Sequence, residues 1–137
     1  MSHSIRTLFT AASLLLGGAA LSAPTPDTPV FLEGMRELEG ELTRLHGALL
    51  RGDYAGIEQA ANAIADSPDP PLPERQRLMH WAGDQVGAVS AEHGRMRETA
   101  RELAGAAAAD NQDDTLRHQQ RLMQTCLDCH SIFRDRP

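Results

Sequence analysis

The apolar residues near the start of the chain are spaced like one face of a helix that packs in a bundle. They follow one another at steps of four, three, four, three and four residues: Phe31, Met35, Leu38, Leu42, Leu45 and Leu49. A surface strand would alternate apolar and polar residues, whereas this spacing makes a continuous stripe along a helix. Charged residues occupy the other faces. The stripe can be buried only by packing against other elements of the chain. Because the rest of the chain also has helical spacing, those elements are expected to be helices.

Turn residues separate this first helix from a second one. The first helix is expected to begin at Asp27 or Thr28 and to end at Gly52, a residue typical of helix C-termini. Asp53 follows directly and is a favoured N-cap for the second helix. The segment Ser67–Pro73 then contains four prolines. Because proline lacks an amide hydrogen and clashes with the preceding turn, this segment ends the second helix.

Two longer helices complete the chain. The third is predicted from about Glu74 to Ala109, and Gly83 and Gly87 are the positions where it would bend or split. Asp110–Asp114 forms the turn into the fourth helix, where carboxylates suit the helix dipole. The residues expected to face inward are Tyr54, Ile57, Ala61 and Ile64 in the second helix; Leu78, Ala82, Val86, Val89, His93, Met96, Ala100, Leu103 and Ala107 in the third; and Leu116, Leu122, Met123, Cys126, His130 and Phe133 in the fourth. Strand-forming residues are sparse. The sequence therefore predicts an all-α fold, an antiparallel four-helix bundle.

The charge pattern narrows the classes of function. The net charge is −6, and all thirteen basic residues are arginine. An acidic chain is poorly suited to a phosphate backbone, so we expect no nucleic-acid partner. There is no Ser/His/Asp pattern and no glycine-rich phosphate loop, and the carboxylates are expected on hydrophilic helix faces. We therefore expect no enzymatic activity.

The first residues are typical of an export signal. One arginine, Arg6, precedes the apolar run Thr7–Leu21, which is short for a membrane span. Small residues follow, and cleavage is predicted after Ser22. Residues 1–22 would then be a signal peptide and residues 23–137 one helical domain in the bacterial periplasm, without stable membrane insertion. An uncleaved membrane anchor is the alternative.

The stretch CLDCH near the end of the chain is the most specific motif. Cys126, Cys129 and His130 stand at positions i, i+3 and i+4 and so share one face of one helical turn. The C-x-x-C-H pattern is a c-type haem attachment signal, in which two thiols bond the haem and the histidine binds the iron. Bacterial haem of this type is attached outside the cytoplasm, so the export signal agrees with the motif. One covalently bound haem c is the cofactor we expect.

Three other chemistries compete for the two cysteines. A thioredoxin-like C-x-x-C lies between a strand and a helix, whereas this one lies near the end of a long predicted helix. A structural zinc site needs four ligands and usually a second cysteine pair, and His118 has no spacing that would close one. A disulfide between Cys126 and Cys129 would close a very small loop and add little stability.

The segment LMQTCLDCHSIFR resembles the end of the cytochrome c prime family, the class II cytochromes c. In that family the haem motif lies on the last of four helices, often followed by an aromatic and a basic residue, as Phe133 and Arg134 follow here. The resemblance extends over nearly the whole mature chain in helix order, but only the haem motif is highly specific. It implies a four-helix bundle that transfers single electrons or, in five-coordinate members, binds gases such as NO and CO.

The resemblance also assigns roles to individual residues. His130 would be the proximal iron ligand. Aligning LLRGDYAGIEQAANAI with the family's first inter-helix junction places Met35 at the distal position, where six-coordinate members have a methionine ligand. Trp81 resembles an aromatic residue that packs near the haem, and Arg134 would lie near the proximal histidine. Many members have an arginine near the haem propionates where this chain has Phe31; Arg36 or an arginine of the third helix would have to replace it.

Each assignment has a simpler alternative. A methionine on an apolar helix face is more often part of the core, and this holds for Met35. Met96 and Met123 are weaker candidates for the distal ligand, and Met123 shares its helix with His130. A second histidine ligand, with His46 or His93 as candidates, is another option. Trp81 would otherwise be a core residue, and Arg134 a solvated helix end.

The expected partners follow from the charge and from the resemblance. An acidic cytochrome suits redox partner proteins with basic docking surfaces. Family members are often homodimers through their first two helices, so a homodimer of this chain through the same helices is a further expectation.

Overall fold

The described part of the chain is helical and contains no strand. The computed structural model describes residues 32–133, in which α1 is Leu32–Arg51, α2 is Tyr54–Ala65, α3 is Leu72–Ala82, α4 is Val86–Ala108 and α5 is Gln112–Phe133. A 3₁₀ turn, Gly83–Gln85, joins α3 to α4. The predicted all-α class is confirmed. The predicted signal peptide, the start of the first helix, Phe31 and Arg134 lie outside the described residues. No described helix is both long and apolar enough to cross a membrane.

The turn between α1 and α2 has the predicted residues in the predicted roles. Gly52 follows the last residue of α1 with φ of +66°, a conformation that suits glycine. Asp53 is the N-cap of α2, and its Oδ1 accepts a hydrogen bond from the amide of Gly56 at 2.9 Å. This bond satisfies one of the free amides at the helix start.

The predicted third helix is two helices in the structure. Gly83 has φ of +57° and ends α3, whereas Gly87 lies inside α4. Of the two glycines, Gly83 is therefore the break. α3 begins at Leu72, two residues before the predicted start at Glu74, because Pro73 is accepted in the first turn, where its missing amide hydrogen costs nothing.

The helices pack around one core. α1 packs on α2, α2 on α4 and α4 on α5, while α3 contacts α4 and the 3₁₀ turn. The core lies in the half of the molecule formed by the end of α1, α2, the second half of α4 and the first half of α5. Its buried residues are Leu45, Ala48, Ile57, Ala60, Ala61, Ile64, Ala65, Met96, Ala100, Leu103, Ala104, Ala107 and Leu122.

One residue of the last helix that was expected to face inward is exposed instead. Leu116 is 50% exposed, and its neighbour Thr115 is buried instead. The Thr115 hydroxyl donates to the carbonyl of Asn111 at 2.7 Å, so the polar group is satisfied inside the first turn of α5. A threonine with its hydroxyl bonded to the preceding turn presents only its methyl group to the core, which hydropathy alone does not reveal.

Candidate cofactor site on the last helix

The inner face of α5 places the three residues of the C-x-x-C-H motif side by side. Leu122 is buried in the core, and Cys126 and Cys129 follow it at four and seven residues, on the same stripe of the helix. Cys126, Cys129 and His130 are all half-buried, and both thiols are free. The motif therefore lies where the stripe leaves the core. Its three side chains are less buried than Leu122, the core residue that precedes them on the stripe.

Both thiols are held in the neutral form. Burial raises the pKa of Cys126. Burial also raises the pKa of Cys129, and the Glu92 carboxylate and Cys126 raise it further. The thiolate is the species that attacks disulfides and binds zinc, and an active C-x-x-C pair usually has a lowered pKa. This environment thus disfavours the thioredoxin-like interpretation.

The apolar face of α1 becomes more exposed toward its start. Leu45 belongs to the core, Leu42 and Leu38 are half-buried, and Met35 is 40% exposed. The same face that packs tightly at one end thus leaves apolar side chains partly accessible at the other.

α4 shows the same gradient. Met96 is 8% exposed, whereas Val89 and Val86, about two and nearly three turns closer to the helix start, are only half-buried. A flat apolar cofactor such as haem requires an apolar lining and groups that can bond to it. The partly accessible apolar residues of α1 and α4 could form the lining, and the two thiols of α5 could form the bonds. The residues present therefore fit this group.

A buried carboxylate lies beside the motif, and sequence reasoning missed it. The side chain of Glu92 is 12% exposed, and its Oε1 lies 3.2 Å from Nη1 of Arg95. Its Oε2 is buried and has no hydrogen-bond partner in the described part of the chain. The expectation that the carboxylates lie on hydrophilic faces is wrong here. Glu92 follows Val89 by three residues and precedes Met96 by four, and this spacing was the available signal.

The other candidate ligands have different environments. Met96 belongs to the core and Met123 is half-buried. Gln119 Nε2 donates to His46 Nε2 at 3.3 Å, a contact that joins α5 to α1. His93 lies near Asp69 of the proline-rich segment, with 4.0 Å between Nδ1 and Oδ1. Both histidines thus have polar neighbours of their own.

Of the two residues that the resemblance would place near a haem, one lies within the described residues. Trp81 is half-buried near the end of α3. Arg134 lies outside the described residues. Arg36, suggested as a substitute for the missing propionate partner, is exposed on α1. In residues 32–133 no cluster of three or more His, Cys, Asp or Glu side chains is arranged to hold a metal ion.

The motif itself assigns His130 to the iron, whereas Met35 is assigned only by the resemblance and its alignment. No direct contact between Met35 and His130 is among the contacts described above. No protein-family model, curated protein or solved structure matches this chain.

Proposed function

We propose that the protein is an exported, periplasmic one-electron carrier with a single covalent haem. The observation that carries the proposal is the half-buried C-x-x-C-H turn, which lies on the stripe of α5 that continues from the core. Cys126 and Cys129 would hold the haem, and His130 would bind its iron. When bound, the haem supplies a reversible change of one electron between ferrous and ferric iron.

The attachment step itself would be redox-neutral. Each thiol would add across a vinyl double bond of the haem, forming a carbon–sulfur bond while the thiol proton goes to the neighbouring carbon. Cys126 and Cys129, three residues apart, would hold the group at two points on one turn of α5. His130 is on the same face and is held at a constant position relative to both attachment points.

The contacts between α1 and α5 support Met35 as the second ligand. The end of α1 and the start of α5 share a cavity of about 180 Å³ lined by Leu49 and Leu116, so we infer that the helices run antiparallel. His46 and Gln119 are hydrogen-bonded across them. Met35 precedes His46 by eleven residues and His130 follows Gln119 by eleven. Since both helices rise by about 1.5 Å per residue, Met35 and His130 come to the same level.

This register also supports the antiparallel four-helix bundle. The helices would lie in the order α1, α2, α4, α5 around the core, with α3 as an appendage of α4. The side between α1 and α5, which in the described residues is joined by side chains such as His46 and Gln119, is where a flat group would fit between the helices. A methionine thioether at this level is a soft ligand that suits electron transfer.

The surface charge suits protein partners of opposite charge. An acidic chain is expected to meet redox proteins with basic docking surfaces, and it remains a poor partner for nucleic acid. The groove between α1 and α2 is lined by small residues such as Gly47, Gly56 and Ala63 and by the charged residues Glu41, Arg44, Arg51 and Asp53. We retain the homodimer through these two helices as part of the proposal.

One observation favours a second candidate function. Met35 is 40% exposed, so its side chain is not held in place by the core. A distal residue that only lines the site would leave the iron five-coordinate and open to NO or CO. The two candidates share the haem, both cysteines and His130, and they differ in the sixth ligand.

The optical spectrum of the haem-loaded protein distinguishes the candidates. The full chain is exported in a host with haem-attachment machinery, and ferric and ferrous spectra are recorded for the wild type and for Met35→Ala. We expect a low-spin six-coordinate wild type and a high-spin variant, because alanine cannot bind iron. Met79→Ala is the matched control: Met79 has similar exposure, 49%, but lies on α3.

Two results would contradict the electron-carrier proposal. A high-spin wild type that binds carbon monoxide at once would support the gas-binding alternative. A chain that is exported and folded but acquires no haem would leave a helical protein with a disulfide or another metal.

A further inference from the structure

Glu92 is a largely buried acid that has no role in the electron-carrier proposal as it stands. Its side chain is 12% exposed, yet only Oε1 has a partner, the guanidinium of Arg95 at 3.2 Å. Oε2 is buried without a hydrogen-bond partner in the described part of the chain. A buried polar atom left unpaired costs free energy, so it persists where another requirement outweighs that cost.

The contacts between α4 and α5 place Glu92 at the level of the haem motif. Glu102 Oε2 lies 3.2 Å from Nδ1 of His118 and 3.1 Å from Nη1 of Arg121. Glu92 precedes Glu102 by ten residues, and residues 128–131 follow His118 and Arg121 by the same number. Since α4 and α5 are packed together and joined by a short turn, Glu92 comes level with Cys129 and His130. The effect of the Glu92 carboxylate on the Cys129 thiol agrees with this placement.

We propose that Glu92 is the residue that lowers the reduction potential of this site, by placing a poorly solvated negative charge beside the haem attachment turn. The inference rests on the proposed function. Ferric haem has one more positive charge than ferrous haem, so a nearby anion stabilises the oxidised state. The interaction is stronger where protein replaces water, because the effective dielectric constant is lower.

Arg95 only partly offsets this charge. Its side chain is 57% exposed, so water and salt screen the guanidinium, whereas the carboxylate of Glu92 is directed into the protein. The two residues therefore act on the potential with opposite sign and unequal strength. Glu92 would therefore act on the potential through its charge alone, without binding the iron.

The test is a redox titration of the haem-loaded full-length protein with four chains compared: wild type, Glu92→Gln, Arg95→Gln and Glu98→Gln. We expect Glu92→Gln to raise the midpoint potential, because the amide keeps the shape and removes the charge. Arg95→Gln should lower it by a smaller amount. Glu98→Gln is the matched control on the exposed face of α4 and should leave it unchanged. The optical spectra of all four proteins should be alike, which would show that the iron ligands are unchanged.

The outcomes separate the two proposals. An unchanged or lowered potential in Glu92→Gln, or an equal rise in Glu98→Gln, overturns the role of Glu92 while the haem itself remains established. If Glu92→Gln does not fold, the Arg95→Gln variant decides: a lowered potential supports the inference, and an unchanged one overturns it. A wild-type chain that acquires no haem overturns the electron-carrier function and this inference with it.

Discussion

His93 lies in a polar cluster that joins α4 to the proline-rich segment. Arg97 Nη1 lies 3.4 Å from Asp69 Oδ1, and His93 Nδ1 lies 4.0 Å from the same oxygen. Arg97 also donates through Nε to the carbonyl of Ala65 at 2.8 Å, one of the free carbonyls at the end of α2. The cluster thus satisfies a helix terminus and fixes the segment that follows it.

The stability of the protein should fall as His93 becomes protonated. Burial lowers the pKa of His93 and Arg97 lowers it further, against the opposing effect of Asp69. Since the folded state favours the neutral imidazole, the stability is fully present above the ordinary pKa of 6.5 and is lost as the pH falls through the lower folded-state pKa. We expect His93→Gln to make the fall between pH 7 and pH 5 shallower in urea denaturation series. His80→Gln, at an exposed site on α3, should follow the wild type; equal slopes in all three would contradict the role of His93.

At the residue scale the sequence identifies a motif but does not reveal the environment of its side chains. Cys126, Cys129 and His130 were found from a motif whose spacing is itself the geometry of a helical turn. Whether Met35 binds iron could not be predicted, because ligand and core methionines share the same helix spacing. Glu92 was missed because hydropathy assigns any glutamate to the surface. Its burial depends on the neighbouring helix α5, which a one-dimensional pattern does not contain.

At the scale of the elements, two glycines test what separates α3 from α4. Gly83 has φ of +57° and ψ of −124°, while Gly87 is inside α4, and a Cβ atom at either position would meet nothing within 4 Å. We expect Gly83→Ala to lower the free energy of unfolding by about 1–3 kcal/mol through backbone strain. Gly87→Ala should raise it by up to about 1 kcal/mol through helix propensity. Equilibrium urea denaturation measures both, and a neutral Gly83→Ala would mean that another residue sets the break.

Helix existence and caps were predictable, and exact boundaries were not. Gly52 and Asp53 act within one turn of their own helices, so the local sequence determines them. The sequence could not show whether the helix breaks at Gly83 or at Gly87, which are four residues apart. In the structure the break is at Gly83, where the 3₁₀ turn begins. The prediction of one helix from Glu74 to Ala109 was therefore right in extent to within two residues and wrong in continuity.

For the whole molecule, the core and the candidate cofactor site occupy different halves. The buried residues of the core cluster lie at the end of α1, in α2, from Met96 onward in α4 and in the first half of α5, while the thiols, Met35 and Glu92 lie toward the other end. Stability can therefore come from one half while the other keeps a partly accessible apolar lining. Substitutions at Met35 or Glu92 should change the spectrum or the potential more than the fold, which makes the experiments above interpretable.

The net charge of the molecule should set the salt dependence of electron exchange. Removal of residues 1–22 takes away Arg6, their only charged residue, and changes the net charge from −6 to −7. An acidic surface attracts cationic reactants and repels anionic ones, and salt weakens both effects. In stopped-flow measurements on the haem-loaded mature protein, oxidation of the ferrous form by ferricyanide should become several-fold faster as ionic strength rises. Reduction of the ferric form by hexaammineruthenium(II) should become slower. If both rates moved in the same direction, or neither depended on salt, the surface around the haem would not share the charge of the whole chain, and the expectation of basic redox partners would be wrong.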